Sequence, residues 1–532
     1  MFYELINLKR PATYFLQEAM ERGMNALTAR LDRNEGNRPY FVLQIIPQPV
    51  LDHAIWDNGD MTSRFLDVFI LAGQAIGGLN LEDEESLRKR LYTCEPYEHP
   101  FMATRLLITL VDEYLRKPSA YQRHCVDELI GVIRSHMTIE EDYAYYFKPP
   151  EGWSFYENPI FGDFAPYPTY ALGGIILALS RYLELETSPD ADDLMRRLVK
   201  FVVEKSGTFE KDGRFFGHTH SGGILTAAAG IARWAIYIGN KELLQQMKDT
   251  FDWTLQYSSS WGWVPDGLGS TDASSETCSI TDAIHLGLIM ARHVEPSYYE
   301  VVERFARNQL LENQFKRTET SDTVLNLKRN TAVADALYGS WASHSFPNSL
   351  DNGFAMVEGC CLGSGIRGCF LVWDSIVEKI KDTVYVHMSF SRNSPWVEII
   401  SYLPYKGKID VMIHDDTKLQ VRIPSWVKVS EMVVYTNDKV QPVSLTDQGY
   451  LIFKGLKKND LVSISFTLKR IETCENVNGF KYQVQWRGDV VTAISPKGLI
   501  YPIYERSCIE TDQFPVIDGQ PYVNQLGGPI HW

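Results

Sequence analysis

The sequence predicts two architectures in one chain: a mainly α N-terminal (α/α)6 barrel, or helical toroid, followed by an all-β C-terminal β-sandwich. Three observations carry this. Up to about residue 380, apolar residues recur at helical spacing or in runs long enough for inward-facing helices. The loops between those segments are rich in Gly, Pro and aromatics. Near residue 381 the period changes to two. At 532 residues the chain exceeds one compact core. Residues 1–380 are therefore expected to form the barrel and 381–532 the sandwich, with a smaller strand-rich piece at the end.

The helices come first. Arg64–Ala72 and Tyr170–Leu179 are apolar enough for inward-facing helices, and Val126–Arg134 has the 3–4 spacing of an amphipathic one. Further starts fall near Pro11, Phe101, Asp190, Ile224, Glu242, Ile280, Ser297 and Gly365, giving about ten to twelve helices. Long hairpins joined by such loops suggest a toroid whose loops gather around a cleft at one end. Then come the strands: Thr383–Phe390, Lys418–Ile423, Glu431–Tyr435, Leu461–Phe466 and Lys481–Trp486 alternate, with turn signals between them.

Composition narrows the function. The formal charge is 52 − 67 = −15, which argues against nucleic acid or an anionic membrane as partner. No stretch approaches the ~20 apolar residues of a membrane span. Met1–Arg10 lacks a secretion-signal pattern, so the expectation is a cytoplasmic protein whose eight cysteines are mostly thiols. A homo-oligomer is compatible with the sequence.

Two segments could do chemistry. Cys360 and Cys361 are adjacent in Val357–Arg367, and Ser275-Glu-Thr-Cys-Ser279 places a thiol two positions after Glu276. Three soft sulfurs and one hard oxygen are the makings of a four-coordinate zinc site. Buried structural thiols, or a vicinal disulfide, are the alternatives. Each segment leads into a helix, and a helix N-terminus or a cation would hold a thiolate that is both ligand and nucleophile. Ser274 or Ser275 is a candidate N-cap for the helix through Ile280, and Asp60 or Thr62 for the helix through Phe65. Glu276 and Cys278 would diverge on a regular helix, so both face one ion only at a helix start or in a loop.

Glu-x-Cys followed by Cys-Cys, on a helical barrel ahead of a sandwich, resembles glycoside hydrolase family 127, the β-L-arabinofuranosidases. Trp56–Asp67, Val126–Tyr146, Thr383–His387, Leu419–Trp426, Gly488–Val491 and Gly498–Tyr501 resemble further segments of that family. The resemblance implies a retaining exo-glycosidase acting on short oligosaccharides. It implies zinc held by Glu276, Cys278, Cys360 and Cys361, with Cys360 attacking the anomeric carbon. The family's acid is a Glu well before its ligand Glu; this chain lacks it, and Asp272 is the nearest candidate, Asp266 the second. The family's sugar-binding histidines map to His218 or His220, while Gly173-Gly174 stands at an earlier position, where Tyr170, Tyr167 or Asp163 can fill the space. Trp56 is a candidate for stacking, and Asp57, paired with Asp60, for hydroxyl binding, with a helix cap at Asp60 or Thr62 as the competing reading. His344 and Asn348 precede the Cys-Cys segment. Two rival readings stand beside this one: a carboxylate-dependent glycosidase with a structural zinc, and an inactive carbohydrate-binding protein.

Overall fold

The structure, a computed structural model, describes residues 10–11, 15–46, 48–93, 100–145, 168–215, 220–268, 274–317, 330–353, 355–504 and 516–517. Among them, six helices close a ring in which each packs on the next: α2 (Gly59–Ala75), α4 (Pro100–Arg116), α6 (Pro168–Leu183), α8 (Ser221–Ile238), α10 (Thr277–His293) and α13 (Gly359–Asp374), which returns to α2. Six others flank the ring, one per inner helix: α3 (Leu81–Thr93), α5 (Ala120–Ser135), α7 (Pro189–Lys200), α9 (Lys241–Tyr257), α11 (Tyr298–Phe305) and, against α13, α1 (Leu16–Ala29). A short α12 (Thr331–Leu337) lies against α1.

Composition sorts the two layers. On α8 every residue from Ile224 to Ala235 is buried, as a helix surrounded by helices requires. On α7 the buried set is Ala191, Leu194, Met195, Leu198 and Val199, one stripe at 3–4 spacing. The ring is tight: a Cβ on Gly365 of α13 would lie 2.1 Å from the Trp341 indole, so only glycine lets that helix seat there.

A small antiparallel sheet feeds the ring. Strand β1 (Val42–Gln44) pairs with β2 (Val50–Asp52) on one side and β3 (Met356–Glu358) on the other. β3 runs directly into α13.

The sandwich follows at β4 (Val377–Ile380), within four residues of the end of α13. Its four-stranded sheet has the order β12 (Tyr450–Leu456), β9 (Thr417–Arg422), β5 (Thr383–Val386), β4, with β5 and β9 parallel. Its six-stranded sheet is antiparallel, in the order β6 (Arg392–Asn393), β7 (Val397–Ser401), β8 (Lys408–Ile413), β13 (Leu461–Ser465), β10 (Val433–Thr436), β11 (Lys439–Gln441). Buried charges tie it to the barrel: Glu303 of α11 meets Arg422 at 3.0 Å, and Arg307 donates to Ser389 O at 2.9 Å. A three-stranded sheet, β14 (Arg470–Val477), β15 (Phe480–Arg487) and β16 (Val490–Ser495), is the expected strand-rich terminal piece. Its Tyr482, Val484 and Trp486 pack on Trp261 and Trp263. Those two indoles donate to Pro347 O and Ser345 O, so the terminal sheet braces loops at the barrel mouth.

Candidate metal centre at the barrel mouth

Two inner helices start in the same way. Glu276 is the N-cap of α10 and Glu358 the N-cap of α13, each in extended backbone and each without a side-chain cap bond. Neither Ser274 nor Ser275 caps α10. Ser275 is instead bridged to Ser345 in both backbone directions, which pulls it out of cap position. Because Glu276 is extended while Cys278 is already helical, the two side chains converge rather than diverge. Cys360 and Cys361 sit in the first turn of α13.

The ligand atoms of Glu276, Cys278, Cys360 and Cys361 all lie within 4.8 Å of one another, and all four residues are buried. Cys278 Sγ is 3.7 Å from Cys361 Sγ, and Cys361 Sγ is 3.9 Å from Glu276 Oε2. Two sulfurs each about 2.3 Å from one tetrahedral ion would be about 3.8 Å apart. The donor set and its spacing therefore fit one metal ion. All six described cysteines are free, so Cys360 and Cys361 form no vicinal disulfide.

The electrostatics are those of a set sharing too few protons. Accepting from Cys360 and Cys361 pushes the Cys278 thiol well below its ordinary value. Burial pushes Cys361 well up, and donation toward Cys278 does the same to Cys360. Burial raises Glu276 to about 7, against the pull of His220. The N-termini of α10 and α13 both favour negative charge here. Ser364 Oγ donates to Cys278 Sγ at 3.2 Å. Exposure separates the sulfurs: Cys361 is 0% exposed, Cys278 3% and Cys360 8%. Cys360 is the least buried of the three cysteines.

Around the cluster, His220 Nε2 is 3.0 Å from Glu276 Oε2 and its Nδ1 3.5 Å from Asp266 Oδ1. Burial would lower its pKa, but Asp266 and Glu276 outweigh that and hold it well above the ordinary value. Glycine is required beside it, since a Cβ on Gly222 would lie 2.6 Å from His220 Cε1 and 3.0 Å from Asp282 Oδ2. On the other side, Cys360 Sγ is 3.4 Å from Glu358 Oε2, and His344 Nε2 is 3.7 Å from Glu358 Oε1. Burial opposes the charged imidazole of His344, yet Glu358 and Glu276 raise its pKa.

No family model matches the chain, and no curated protein does. Solved structures do. A glycoside hydrolase superposes at a TM-score of 0.59 over 91% of this chain and 83% of its own, with 12% identity. The barrel-and-sandwich fold is shared with a glycoside hydrolase. A sugar epimerase from a ruminal bacterium matches 67% of this chain and 98% of its own, at 13% identity and a TM-score of 0.51. A family 127 β-L-arabinofuranosidase from Geobacillus stearothermophilus T6 matches 81% of this chain and 84% of its own, at 14% identity and a TM-score of 0.46. At these identities the likeness is one of fold.

Of the residues singled out in the sequence, the structure gathers Glu276, Cys278, Cys360, Cys361, His220, Asp266 and His344 at one mouth. Asp57 is turned inward. It is 0% exposed and accepts from the backbone N–H of Phe41 and Ala54, with His53 Nδ1 at 2.7 Å. A carboxylate so engaged holds the turn before α2. Asp60 pairs with Arg64 at 2.8 Å rather than capping α2, whose N-cap is Asn58. Trp56 is half-buried in the adjoining turn. Asn348 is committed to Pro496 O. Asp272, His218, Tyr167 and Asp163 lie outside the described residues, and Tyr170 is described only as backbone in the first turn of α6. Sequence reasoning missed Glu358, Asp282 and the arginines Arg64 and Arg105. The signals were available: Glu358-Gly-Cys360 repeats the Glu-x-Cys of α10, and Asp282 follows Cys278 by four residues, on the same helix face.

Proposed function

We propose that the chain is a distant relative of family 127 and a retaining exo-glycosidase that removes a terminal sugar from short oligosaccharides. The observation that carries the reading is the Glu276–Cys278–Cys360–Cys361 cluster at the barrel mouth, with Cys360 the least buried of its cysteines. The softness of three sulfurs points to zinc, held by all four residues. When bound, zinc keeps the sulfurs deprotonated at neutral pH.

Cys360 Sγ attacks the anomeric carbon, the C–S bond forms and the glycosidic C–O bond breaks. The leaving oxygen takes a proton from a carboxylic acid. Water then attacks the anomeric carbon, the C–S bond breaks, and the acid recovers its proton from that water. Asp272 is the acid proposed from the sequence. A second assignment, Glu358, has a specific observation in its favour: its Oε2 is the carboxylate oxygen 3.4 Å from the attacking sulfur. His218, His220, Trp56, Tyr170 and His344 are proposed to line the sugar path, and the oligosaccharides to be taken up and processed in the cytoplasm.

The test is metal analysis with a panel of aryl glycosides and plant oligosaccharides, β-L-arabinofuranosides included. About one zinc per chain and hydrolysis with retained anomeric configuration are expected. A metal-free active protein would sink the thiolate mechanism. A zinc-loaded protein inert on the whole panel would favour a binding protein.

A further inference from the structure

Arg30, Arg181 and Arg307 are the most deeply buried arginines among the described residues. Two of them face a carboxylate: Arg181 meets Asp112, and Arg307 meets Glu303 at 2.7 Å. Arg30 does not. It is 0% exposed, and its donors go to two backbone carbonyls and a hydroxyl, with no carboxylate of the described residues in ion-pair reach. A guanidinium taken out of water is costly unless a counter-charge offsets it.

Its position says where that counter-charge lies. Arg30 is the C-cap of α1. Its Nη1 donates to Phe41 O at 3.2 Å, and its Nη2 to Val357 O at 3.1 Å and Ser340 Oγ at 3.4 Å. Phe41 O also accepts from the N–H of Gly359 at 2.7 Å. Val357 and Gly359 flank Glu358, and Cys360 and Cys361 follow. The guanidinium is thus seated against the strand-to-helix junction that carries the thiol pair. Burial lowers its pKa to about 10, and the charges that oppose burial are those of Cys360, Cys361 and Glu358.

We infer that Arg30 is the counter-charge of the candidate metal centre: a positioning residue whose fixed positive charge lets Cys360 and Cys361 hold a divalent ion as thiolates inside the barrel wall. The inference rests on the metal half of the reading above. Three thiolates and a carboxylate around a divalent ion leave excess negative charge in a buried site. His220, beside Glu276 and Asp266, meets one end of the set. Arg30 meets the other, at the Cys360–Cys361 end. Arg64 is already engaged by Asp60 at 2.8 Å. Arg30 bonds to no ligand atom, so it acts through its charge, which is strong in a low-dielectric interior and is never given up at neutral pH.

The test is zinc affinity by chelator competition on wild type, Arg30→Lys, Arg30→Gln and Arg30→Met. The thiolate-to-metal charge-transfer band of the cobalt-loaded proteins is recorded alongside, with metal-free melting temperatures to show which variants fold. The lysine keeps the charge and loses the planar fork. The glutamine keeps a donor and loses the charge, and the methionine loses both. Zinc affinity is expected to fall about tenfold or more in Arg30→Gln and Arg30→Met, and to stay within about threefold of wild type in Arg30→Lys. The cobalt band is expected to move to longer wavelength in the neutral variants and to stay in place in Arg30→Lys. Where Arg30→Met fails to fold, the lysine and glutamine variants carry the test. Equal losses in those two would make Arg30 a strut for the junction and overturn the inference, as would unchanged affinity in the folded neutral variants. The two readings separate. A zinc-loaded wild type whose neutral variants bind as tightly removes the counter-charge and keeps the metal centre. A wild type that takes up no zinc removes both. Weakened zinc binding in the neutral variants of a protein inert on every glycoside keeps the counter-charge and removes the hydrolase.

Discussion

The starts of α10 and α13 carry the same short pattern, Glu276-Thr-Cys278 and Glu358-Gly-Cys360, in the same backbone conformation. Their surroundings differ. Three sulfurs and His220 surround Glu276, and burial raises its pKa to about 7. Glu358 has one sulfur on one side and His344 on the other. A carboxylate at an N-cap is only a carboxylate; its neighbours decide whether it holds a cation or moves a proton. The second cysteine, Cys361, sets the asymmetry. It is fully buried and lies 3.9 Å from Glu276 Oε2, so it closes the ligand set around Glu276 and leaves Glu358 outside.

The most damaging break in this comparison is at Cys360, the residue that touches both sides. Cys360→Ala is expected to lower turnover roughly 10³-fold or more, as removal of a nucleophile does, while the chain stays folded by circular dichroism. Full activity in that variant would remove the nucleophile. The paired glutamates sharpen the contrast. Glu276→Gln should lose metal, read by elemental analysis. Glu358→Gln should keep metal and lose roughly 10²- to 10⁴-fold in turnover. Aryl glycosides whose leaving group needs no proton should recover most of that loss. Equal metal loss in both variants would make the two helix starts equivalent and refute the assignment.

Much of this was legible in the chain. The barrel was, because buried inner helices and one-striped outer helices leave different apolar periods, and the change to period two marks the sandwich. The metal set was, because soft ligands are rare and their order is distinctive. The helix starts were placed late, at Ile280 and Gly365 instead of Thr277 and Gly359. Serines favour caps on average, and only the bridge to Ser345, seventy residues away in sequence, shows that Ser275 is otherwise engaged. Asp282 and Arg105 were invisible for a related reason. Charged residues at helical spacing read as an outer face until the ring closes and turns that face onto an axis.

Asp282, one turn after Cys278 on α10, offers a milder break. Burial raises its pKa from 3.8 to about 6, with Arg105 pulling down and Cys278 pushing up. The folded protein therefore keeps this proton where the unfolded chain has released it. That contribution is full below pH 3.8 and is lost as pH rises through about 6. Asp282→Asn removes the titration. Its melting temperature relative to wild type is expected to climb between pH 4 and 6 and to stay higher at pH 7. A flat difference across that range would show that Asp282 is hydrated well enough to ionise without cost.

The smallest effect belongs to Ser364, which reaches only the Glu276 side. Its hydroxyl donates to Cys278 Sγ at 3.2 Å, and Thr281 Oγ1 donates to its backbone carbonyl at 2.8 Å, so α10 and α13 are bonded in both directions at this level. A hydroxyl on a ligand sulfur spreads thiolate charge without touching the ion. Ser364→Ala keeps the helix contact and removes that one hydrogen bond. Metal affinity, measured by chelator competition, is expected to fall about tenfold, the low end for loss of an outer partner. The leaving-group dependence of turnover should not change, because Glu358 and the mouth of Cys360 lie on the other side of the sulfur pair. A changed leaving-group dependence would mean that the two helix starts act as one electrostatic unit.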